Sequence, residues 1–290
     1  MRLKRLCALG VGVALTGAVH AQERRSAPPE RDHGRMTEEV APDRTQSRTR
    51  PRIKARSAPP SVLAILAHPD DEITIAPVLA RIVREGGKVT LIYATSGDAG
   101  PGSSGLERAE AIGVMREKEG RCAAFALGLE EPTFWNLGDG ALATMARAPD
   151  SAAQQALAFT KLAISESRPN AILTWGPDGG YGHADHRTIS AIVTQAVAGL
   201  GPDRPELLYA TFPQIADGVL PGFESWATTA DDLITDTIRY KPEDLNATET
   251  AVRCYESQFP LPARQGLVRL LHERVWGGRV HFRSAFSPRR

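Results

Sequence analysis

Residues 61–77 read SVLAILAHPDDEITIAP, and this stretch decides the fold class. Residues 61–67 are continuously apolar, as expected for a β-strand that is covered on both faces of a sheet. The apolar run stops at His68, and three consecutive carboxylates follow at 70–72. Pro77 suits the first turn of a helix. The stretch therefore predicts a buried strand, a strongly acidic loop at its carboxyl end, and a helix.

The rest of the folded region alternates between the same two patterns. Further strands are predicted at 88–96, 132–137, 171–175 and 206–212. Helices are predicted at 77–85, 103–129, 151–167 and 186–198, with capping patterns at Ser104/Glu107 and Ser151/Gln154. This alternation predicts an α/β, Rossmann-like fold with a mainly parallel sheet and helices on both faces.

A dinucleotide site is the first possibility to consider for such a fold. It needs a G-x-G-x-x-G motif between the first strand and the first helix. The turn at that position reads HPDDEITIAP (68–77), with no glycine and three negative charges that would repel a pyrophosphate. We therefore exclude a nucleotide site.

A second polar loop, GPDGGYGHADH (176–186), follows the strand predicted at 171–175. Ligands in parallel sheets bind beyond the carboxyl ends of the strands, where both loops lie. Together HPDDE and HADH offer three imidazoles and four carboxylates. Clustered carboxylates repel one another unless a cation neutralises them, and zinc prefers nitrogen and carboxylate ligands. The pair of loops indicates a catalytic metal site.

Simpler interpretations exist for each loop alone. Asp70 or Asp71 could cap the following helix, and Asp185 could cap the helix predicted to begin at His186. A single histidine is more often a hydrogen-bonded structural residue than a ligand. The occurrence of both loops at corresponding strand ends favours the metal site.

The two loops also resemble a known family. AHPDDE (67–72) and GHADH (182–186) are similar to the signature motifs of the PIG-L / LmbE-like zinc N-deacetylases, which remove acetyl groups from N-acetylglucosamine units. Ala184 stands where proline is common. TSGDAG (95–100), ERAEA (107–111) and LGDG (137–140) resemble the family's second loop, Arg-x-x-Glu helix and acidic third loop. The resemblance covers residues 61 to about 260.

The resemblance implies a role for individual side chains. The implied zinc ligands are His68, Asp71 and His186. The implied catalytic groups are Asp70 as general base, His183 as oxyanion stabiliser and proton donor, and Asp185 as the residue that orients His183. Arg108 and Asp139 match positions that contact the sugar. Glu72 is expected to contact His68 or His186 and hold it in position without binding the metal itself.

The C-terminal part departs from the family pattern. In ATETAVRCYESQF (247–259), Thr248 stands where lysine is usual and Tyr255 where histidine is usual. This puts in doubt any contact that the helix makes at the rim of the site. The tail from 261 to 290 has no counterpart in the resemblance, and its His272 and His281 are expected to be structural.

Residues 1–21 have the pattern of a secretory signal peptide. A basic start precedes an uncharged, mostly apolar run at 6–19, and residues 19–21 suit cleavage near Ala21. The run is short for a membrane span, which needs roughly 20 residues, although an uncleaved anchor is the alternative. The mature protein is expected to be periplasmic or secreted, with no stable membrane insertion.

Residues 22–60 are charged and rich in Arg and Pro, which predicts a disordered linker before a deacetylase domain at 61–290. Export would permit a disulfide between Cys122 and Cys254, but two buried free thiols are expected. The formal net charge of +1 predicts no nucleic-acid partner. The sequence does not specify an oligomeric state.

The predicted function is a Zn²⁺-dependent hydrolase that removes an N-acetyl group from an N-acetylglucosamine-type amino sugar or glycoconjugate. Two alternatives remain open. One is a zinc amidase that acts on a non-sugar acyl amide, and the other is a non-catalytic, metal-loaded glycan-binding protein. The presence of both Asp70 and His183 argues against the latter, because binding alone needs no general base.

Overall fold

The computed structural model describes residues 59–215 and 224–286. The predicted signal peptide and all but the last two residues of the predicted linker lie outside the described residues. No helix within the two described ranges is both long and apolar enough to cross a membrane.

The described residues form one seven-stranded sheet and six α-helices. The strands are β1 (Ser61–Leu66), β2 (Lys88–Tyr93), β3 (Thr133–Phe134), β4 (Ala171–Trp175), β5 (Glu206–Thr211), β6 (Asp236–Arg239) and β7 (Arg279–Ser284). The helices are α1 (Ala76–Arg84), α2 (Ala109–Ala126), α3 (Ala152–Ser167), α4 (Ala184–Ala198), α5 (Pro242–Arg253) and α6 (Leu261–Leu271).

The sheet has the strand order β3-β2-β1-β4-β5-β7-β6. The first five strands in this order are parallel, and β7 pairs antiparallel with both β5 and β6. The predicted α/β class with a mainly parallel sheet is confirmed. The antiparallel pair at one edge was not predicted, and β7 comes from the tail that matched no family pattern.

The centre of the sheet is its most buried part. β1 lies between β2 and β4, and its residues 63–66 have no exposed surface. Helices α3 and α4 pack on each other and on β1, while α1 and α2 each pack on α5. Because β1 and β4 are adjacent and parallel, their carboxyl ends place the loops 67–72 and 176–186 side by side.

Two of the predicted helix starts are corrected, whereas α1 begins at Ala76 with Pro77 in its first turn, as predicted. Helix α2 begins at Ala109, so Ser104 and Glu107 form no capping box. A 3₁₀ turn at Asp71–Thr74 separates the acidic loop from α1, whose N-cap is Ile75. Helix α4 begins two residues before its predicted start, and its N-cap is His183 rather than Asp185. The predicted cap at Ser151 is confirmed by a hydrogen bond from Gln154 N to Ser151 Oγ.

Cys122 and Cys254 form a disulfide, which corrects the expectation of two buried free thiols. The packing of α2 on α5 brings their Cα atoms to 5.8 Å, although 132 positions separate them in the chain. Sequence separation says nothing about such an encounter, which only the packing of the helices decides.

Candidate metal centre

The two loops bring His68, Asp71 and His186 together in the interior. His68 Nδ1 lies 3.1 Å from His186 Nε2, and Asp71 Oδ1 lies 3.0 Å from the same nitrogen. His68 Nδ1 is also 3.8 Å from Asp71 Oδ2. The three residues are at most 5 % exposed. The predicted ligand set therefore forms a compact buried cluster.

In each of these three side chains, the polar atom that does not face the cluster has a hydrogen-bond partner elsewhere. Asp71 Oδ2 accepts hydrogen bonds from Ala67 N, His68 N and Trp175 Nε1, each at 2.9 Å, so Oδ1 is left to face His186. His186 Nδ1 lies 3.1 Å from Gly179 O. A carbonyl oxygen can only accept, so Nδ1 carries a proton and neutral His186 presents the lone pair of Nε2.

The other ring nitrogen of His68 faces two carboxylates. Nε2 lies 3.0 Å from Asp139 Oδ1 and 3.3 Å from Asp185 Oδ2. Protonated Nε2 can donate to these oxygens, which leaves the lone pair of Nδ1 to face His186. Hydrogen-bonded carboxylates and carbonyls of this kind fix the tautomer of metal-ligating histidines.

The arrangement fits a divalent metal. Zinc–nitrogen and zinc–oxygen bonds of about 2.0–2.1 Å place neighbouring tetrahedral ligands about 3.3 Å apart, close to the 3.1 Å and 3.0 Å that separate His186 Nε2 from His68 Nδ1 and from Asp71 Oδ1. Three protein ligands also leave a fourth position for water or substrate. Donor atoms of His68, Asp139 and Asp185, and of His68, His183 and His186, likewise lie within 4.8 Å of one another.

The surroundings favour positive charge at this point. Burial alone would lower the pKa of His68, but hydrogen bonds to Asp139, Asp185 and Asp71 outweigh it and raise that pKa well above its usual range. Burial would raise the pKa of Asp71, yet the neighbouring His186 and His68 hold it well below its usual range. A site that stabilises a proton in this way also stabilises a metal cation.

His183 stands at the edge of the cluster. Its ring lies edge-on to His68, with 4.7 Å between the ring centres, and it is half-buried. Asp185 N donates to His183 Nδ1 at 3.2 Å, so neutral His183 carries its proton on Nε2. Burial and the nearby His68 and His186 lower the pKa of His183, which keeps the ring a neutral hydrogen-bond donor.

The expected orientation of His183 by the Asp185 carboxylate is not observed. Asp185 Oδ2 instead accepts from Gly140 N at 2.7 Å and faces His68, while Oδ1 is buried without a hydrogen-bond partner among the described residues. Asp185 reaches His183 through its backbone N–H. Asp139, predicted as a sugar contact, also lies against His68.

Asp70 has a strained backbone, with φ of 94°, in the left-handed region that a residue with a side chain rarely adopts. Its Oδ2 accepts a hydrogen bond from Arg116 Nη2 at 2.9 Å. Burial raises the pKa of Asp70 to about 6, and Arg116 opposes part of that rise. The predicted base is thus next to the cluster and held by an arginine.

Arg116 replaces Arg108 as the arginine that reaches the site. The Arg108 side chain is 80 % exposed and pairs with Glu110, because it lies at the N-cap of α2. Arg116, two turns further on, is buried and also donates to Pro69 O and Gly97 O. The spacing could have revealed this, because Arg116 and Glu119 are the pair with true Arg-x-x-Glu spacing. A Cβ at Gly97, whose φ is +66°, would overlap the guanidinium.

Glu72 does not support either histidine, contrary to the expectation. It is fully buried and accepts hydrogen bonds from Tyr255 Oη at 2.6 Å, Tyr93 Oη at 2.9 Å and Asp70 N at 3.1 Å. Burial raises its pKa to about 7 despite these bonds. The 3₁₀ turn directs Glu72 away from Asp71, so that it holds the backbone of Asp70 instead.

Sequence reasoning also missed three aromatic residues. Trp175 stacks on His186 with 4.3 Å between ring centres and 8° between planes. Tyr181 lies edge-on to His186, and Trp226 packs against both Trp175 and Tyr181. Trp175 ends a buried strand, and the sequence pattern does not distinguish a core tryptophan from one that hydrogen-bonds to a candidate metal ligand, as Trp175 does to Asp71.

The fold and the site define a class of α/β proteins with a His–Asp–His cluster at the ends of two central strands. Residues 63–197 match the PIG-L family, described as GlcNAc-PI de-N-acetylase. A 1D-myo-inositol 2-acetamido-2-deoxy-α-D-glucopyranoside deacetylase of Mycolicibacterium vanbaalenii is 32% identical over 197 residues, which cover 59% of this chain and 68% of that relative. The chain belongs to the PIG-L family. It spans about half the length of other relatives of this kind.

Solved structures share the fold at low sequence identity. The N,N'-diacetylchitobiose deacetylase of Pyrococcus horikoshii superposes with a TM-score of 0.57 at 19% identity, covering 77% of this chain and 83% of that one. A 4-carboxy-2-hydroxymuconate hydratase of Pseudomonas putida gives 0.55 at 15% identity, covering 80% and 98%. The same fold thus occurs in proteins with different reactions, so function has to be argued from the site.

Proposed function

We propose that this protein is a zinc-dependent hydrolase that removes an N-acetyl group from an N-acetylglucosamine-type amino sugar or glycoconjugate outside the cytoplasm. The observation that carries the proposal is the convergence of His68 Nδ1, His186 Nε2 and Asp71 Oδ1 beside Asp70. Metal binding needs the donors alone, whereas hydrolysis also needs a base next to them. The named activity of the Mycolicibacterium relative supports the same reaction class.

The three donors would hold Zn²⁺ with one position open, and the ion would polarise the amide carbonyl and make water more acidic. Asp70 accepts a proton from the attacking water, and Arg116 keeps its carboxylate in position. His183 donates its Nε2–H toward the carbonyl oxygen as negative charge develops there. The C–N bond breaks, the amine takes up the proton that Asp70 accepted from water, and the acyl group leaves as acetate.

Metal analysis combined with an acetate-release assay tests this proposal. Purified protein is expected to hold about one zinc per chain and to release acetate from an N-acetylglucosamine compound. Asp70→Asn should keep the metal and lose about 10²–10⁴-fold in kcat. Asp203→Asn, an exposed carboxylate away from the site, serves as the control. Full activity of Asp70→Asn would contradict the role of Asp70.

The same assay separates the alternatives. Turnover of simple acyl amides in preference to amino sugars would favour the non-sugar amidase. Glycan binding with no turnover at any zinc concentration would favour a metal-loaded binding protein.

The proposed location outside the cytoplasm has two supports. One is the signal pattern at residues 1–21, and the other is the Cys122–Cys254 disulfide, since such bonds persist mainly in oxidising compartments. N-terminal sequencing of the exported protein is expected to find a start at residue 22. Recovery of the uncleaved chain in the cytoplasm alone would contradict the proposal.

A further inference from the structure

A cavity of about 420 Å³ lies directly beside the candidate metal centre. Asp70 and Asp71 line one end of it. The other lining residues are Ile73, Thr74, Trp175, Tyr181, Ser225, Trp226, Phe259, Ala263, Leu267 and Leu271. Four of these come from residues 259–271, in and just before α6, outside residues 63–197 that match the family model.

The walls of this cavity suit hydrocarbon. Apart from Asp70 and Asp71, the described residues that line it carry no charge, and none of them is a lysine or an arginine. Away from Asp70, Asp71 and the metal position beside them, an anionic group such as a phosphate would meet no lysine or arginine among the described lining residues and would lose its hydration without compensation. Aliphatic and aromatic walls with a few polar groups at one end are typical of sites that bury an apolar part of a ligand.

A polar cavity of about 290 Å³ lies on the other side of the central strands. Its lining includes Asp98, Glu117 and Asn136, from the loops after β2 and β3 and from α2. Asp98 Oδ1 accepts a hydrogen bond from Asp139 N at 2.9 Å, which connects this cavity to the carboxylate that faces His68. In the sheet, β2 and β3 lie on one side of β1, whereas β4, whose end carries Trp175, lies on the other.

An amide has two substituents that point in opposite directions from the scissile bond. On the function proposed above, the amine side carries a hydroxyl-rich sugar and the carbonyl side carries the acyl group. The sugar then belongs on the polar side, and the acyl group on the apolar side. An acetyl methyl would leave most of 420 Å³ empty, since about 150 Å³ is enough for a benzene molecule.

Resting on the function proposed above, we infer that the site also hydrolyses amino sugars whose N-acyl chain is longer than acetyl and prefers them to the N-acetyl compound, and that the cavity formed with α6 takes this chain. The reaction is otherwise unchanged. Water adds its oxygen to the acyl carbon, the C–N bond breaks, the amine is protonated, and a longer carboxylate leaves in place of acetate.

A series of N-acetyl-, N-butanoyl- and N-octanoylglucosamine tests the inference on the zinc-loaded protein. Each methylene buried in the cavity is expected to raise kcat/KM about four-fold until the cavity is full. Octyl N-acetylglucosaminide places the same alkyl group on the other side of the sugar and should gain nothing. A kcat/KM that falls with acyl length, or that rises only for the octyl glycoside, would overturn the inference.

A variant of α6 links the preference to this cavity. Ala263→Phe inserts a ring among the lining residues and should lower the octanoyl-to-acetyl ratio of kcat/KM about 10-fold. Gln265→Phe adds the same ring on the exposed face of α6 and is expected to leave the ratio unchanged. An unchanged ratio in Ala263→Phe would show that the chain lies elsewhere.

Binding to the Asp70→Asn variant distinguishes failure of this inference from failure of the proposed function. Calorimetry on the zinc-loaded variant should give at least about 10-fold tighter binding of N-octanoylglucosamine than of N-acetylglucosamine. Equal binding overturns the inference even if the parent protein is an active deacetylase. Absence of turnover with every acyl compound would instead reject the proposed function, and the binding ratio would still decide whether the cavity takes the chain.

Discussion

The two segments that build the candidate site contribute to it differently. The strand-end loops at 67–72 and 175–186 carry the candidate ligands, the candidate base and the imidazole of His183. The C-terminal segment at 236–286 supplies supports and walls: Tyr255 bonds to Glu72, Cys254 is tied to α2, and α6 lines the apolar cavity. On the proposed function, this difference predicts that chemistry and substrate choice reside in separate parts of the chain. Substitutions in the two segments should therefore change different measurements.

The largest effect is expected from Asp71→Ala, which removes a donor atom from the loops. We expect most of the metal to be lost. Activity should fall further than the loss of about 10–100-fold that is typical when the group removed only hydrogen-bonds to a metal ligand. Metal stoichiometry and acyl release measure both. Glu256→Ala, an exposed carboxylate of the C-terminal segment, is the control and should keep both. Normal metal content in Asp71→Ala would contradict the assignment of the metal ligands to the strand-end loops.

A smaller effect, on stability rather than chemistry, is expected in the C-terminal segment. The double variant Cys122→Ser/Cys254→Ser should lose about 2–4 kcal/mol of the free energy of unfolding, because the disulfide restricts the unfolded chain. Chemical denaturation checks this, with reducing agent on the parent protein as a second route to the same state. Metal content should not change. Equal stability with and without the disulfide would refute the expectation.

Arg108 at the N-cap of α2 and Arg116 within α2 provide a matched pair of variants. Arg116→Ala should reduce kcat by about 100-fold, because loss of its bond to Oδ2 leaves the Asp70 carboxylate misplaced. Arg108→Ala should keep the parent activity, since that side chain is exposed and away from the cluster. Steady-state kinetics at saturating substrate, with circular dichroism to verify folding, compare the pair. An equal loss in both variants would restore Arg108 as a site residue.

The smallest effect is expected where the C-terminal segment contacts α1, the helix that follows the first strand-end loop. Arg84 of α1 makes two hydrogen bonds, at 2.7 and 2.9 Å, to Asp244 of α5. Burial would raise the pKa of Asp244, but the Arg84 hydrogen bonds outweigh it and lower that pKa.

Because the folded pKa of Asp244 is lowered, its contribution to stability is present above the unfolded value of about 3.9 and is lost as the pH falls through the folded value. Asp244→Asn should lower Tm by a few degrees at pH 7, and the difference from the parent should shrink below about pH 4. Thermal denaturation across this pH range measures it. A difference that grows on acidification would reverse the sign and contradict the assignment.

Local patterns were enough to predict what lies at the strand ends. The apolar run before His68 and the GHADH loop specify strands whose ends meet, so topology predicted that the two polar loops lie together, while the choice of His68, Asp71 and His186 was implied by the family resemblance. Contacts between distant segments were not predictable in this way. The disulfide, the bond from Tyr255 to Glu72 and the wall of α6 depend on how helices pack, which periodicity within one segment does not encode.

Errors within the site have a similar origin. The roles of Asp185 and Glu72 were expected from the two motifs, and a motif does not show in which directions side chains that are close in sequence point within a tight turn. Arg108 was chosen from a short motif, and the start of α2 left it outside the site. The register of a helix is fixed by where it begins, and the capping pattern at Ser104 misplaced that start by several residues.

The strained backbone of Asp70 has an evolutionary consequence. Asparagine adopts the left-handed conformation more readily than most residues, it can still accept a hydrogen bond from Arg116, and it avoids burying a charge. Asp70→Asn is therefore expected to match or exceed the parent in Tm while it loses activity, a point that thermal denaturation of the metal-loaded variant can check. If the proposed function is correct, Asp70→Asn would convert the enzyme into a stable, metal-loaded sugar-binding protein in one substitution, so selection for stability alone would favour the loss of catalysis.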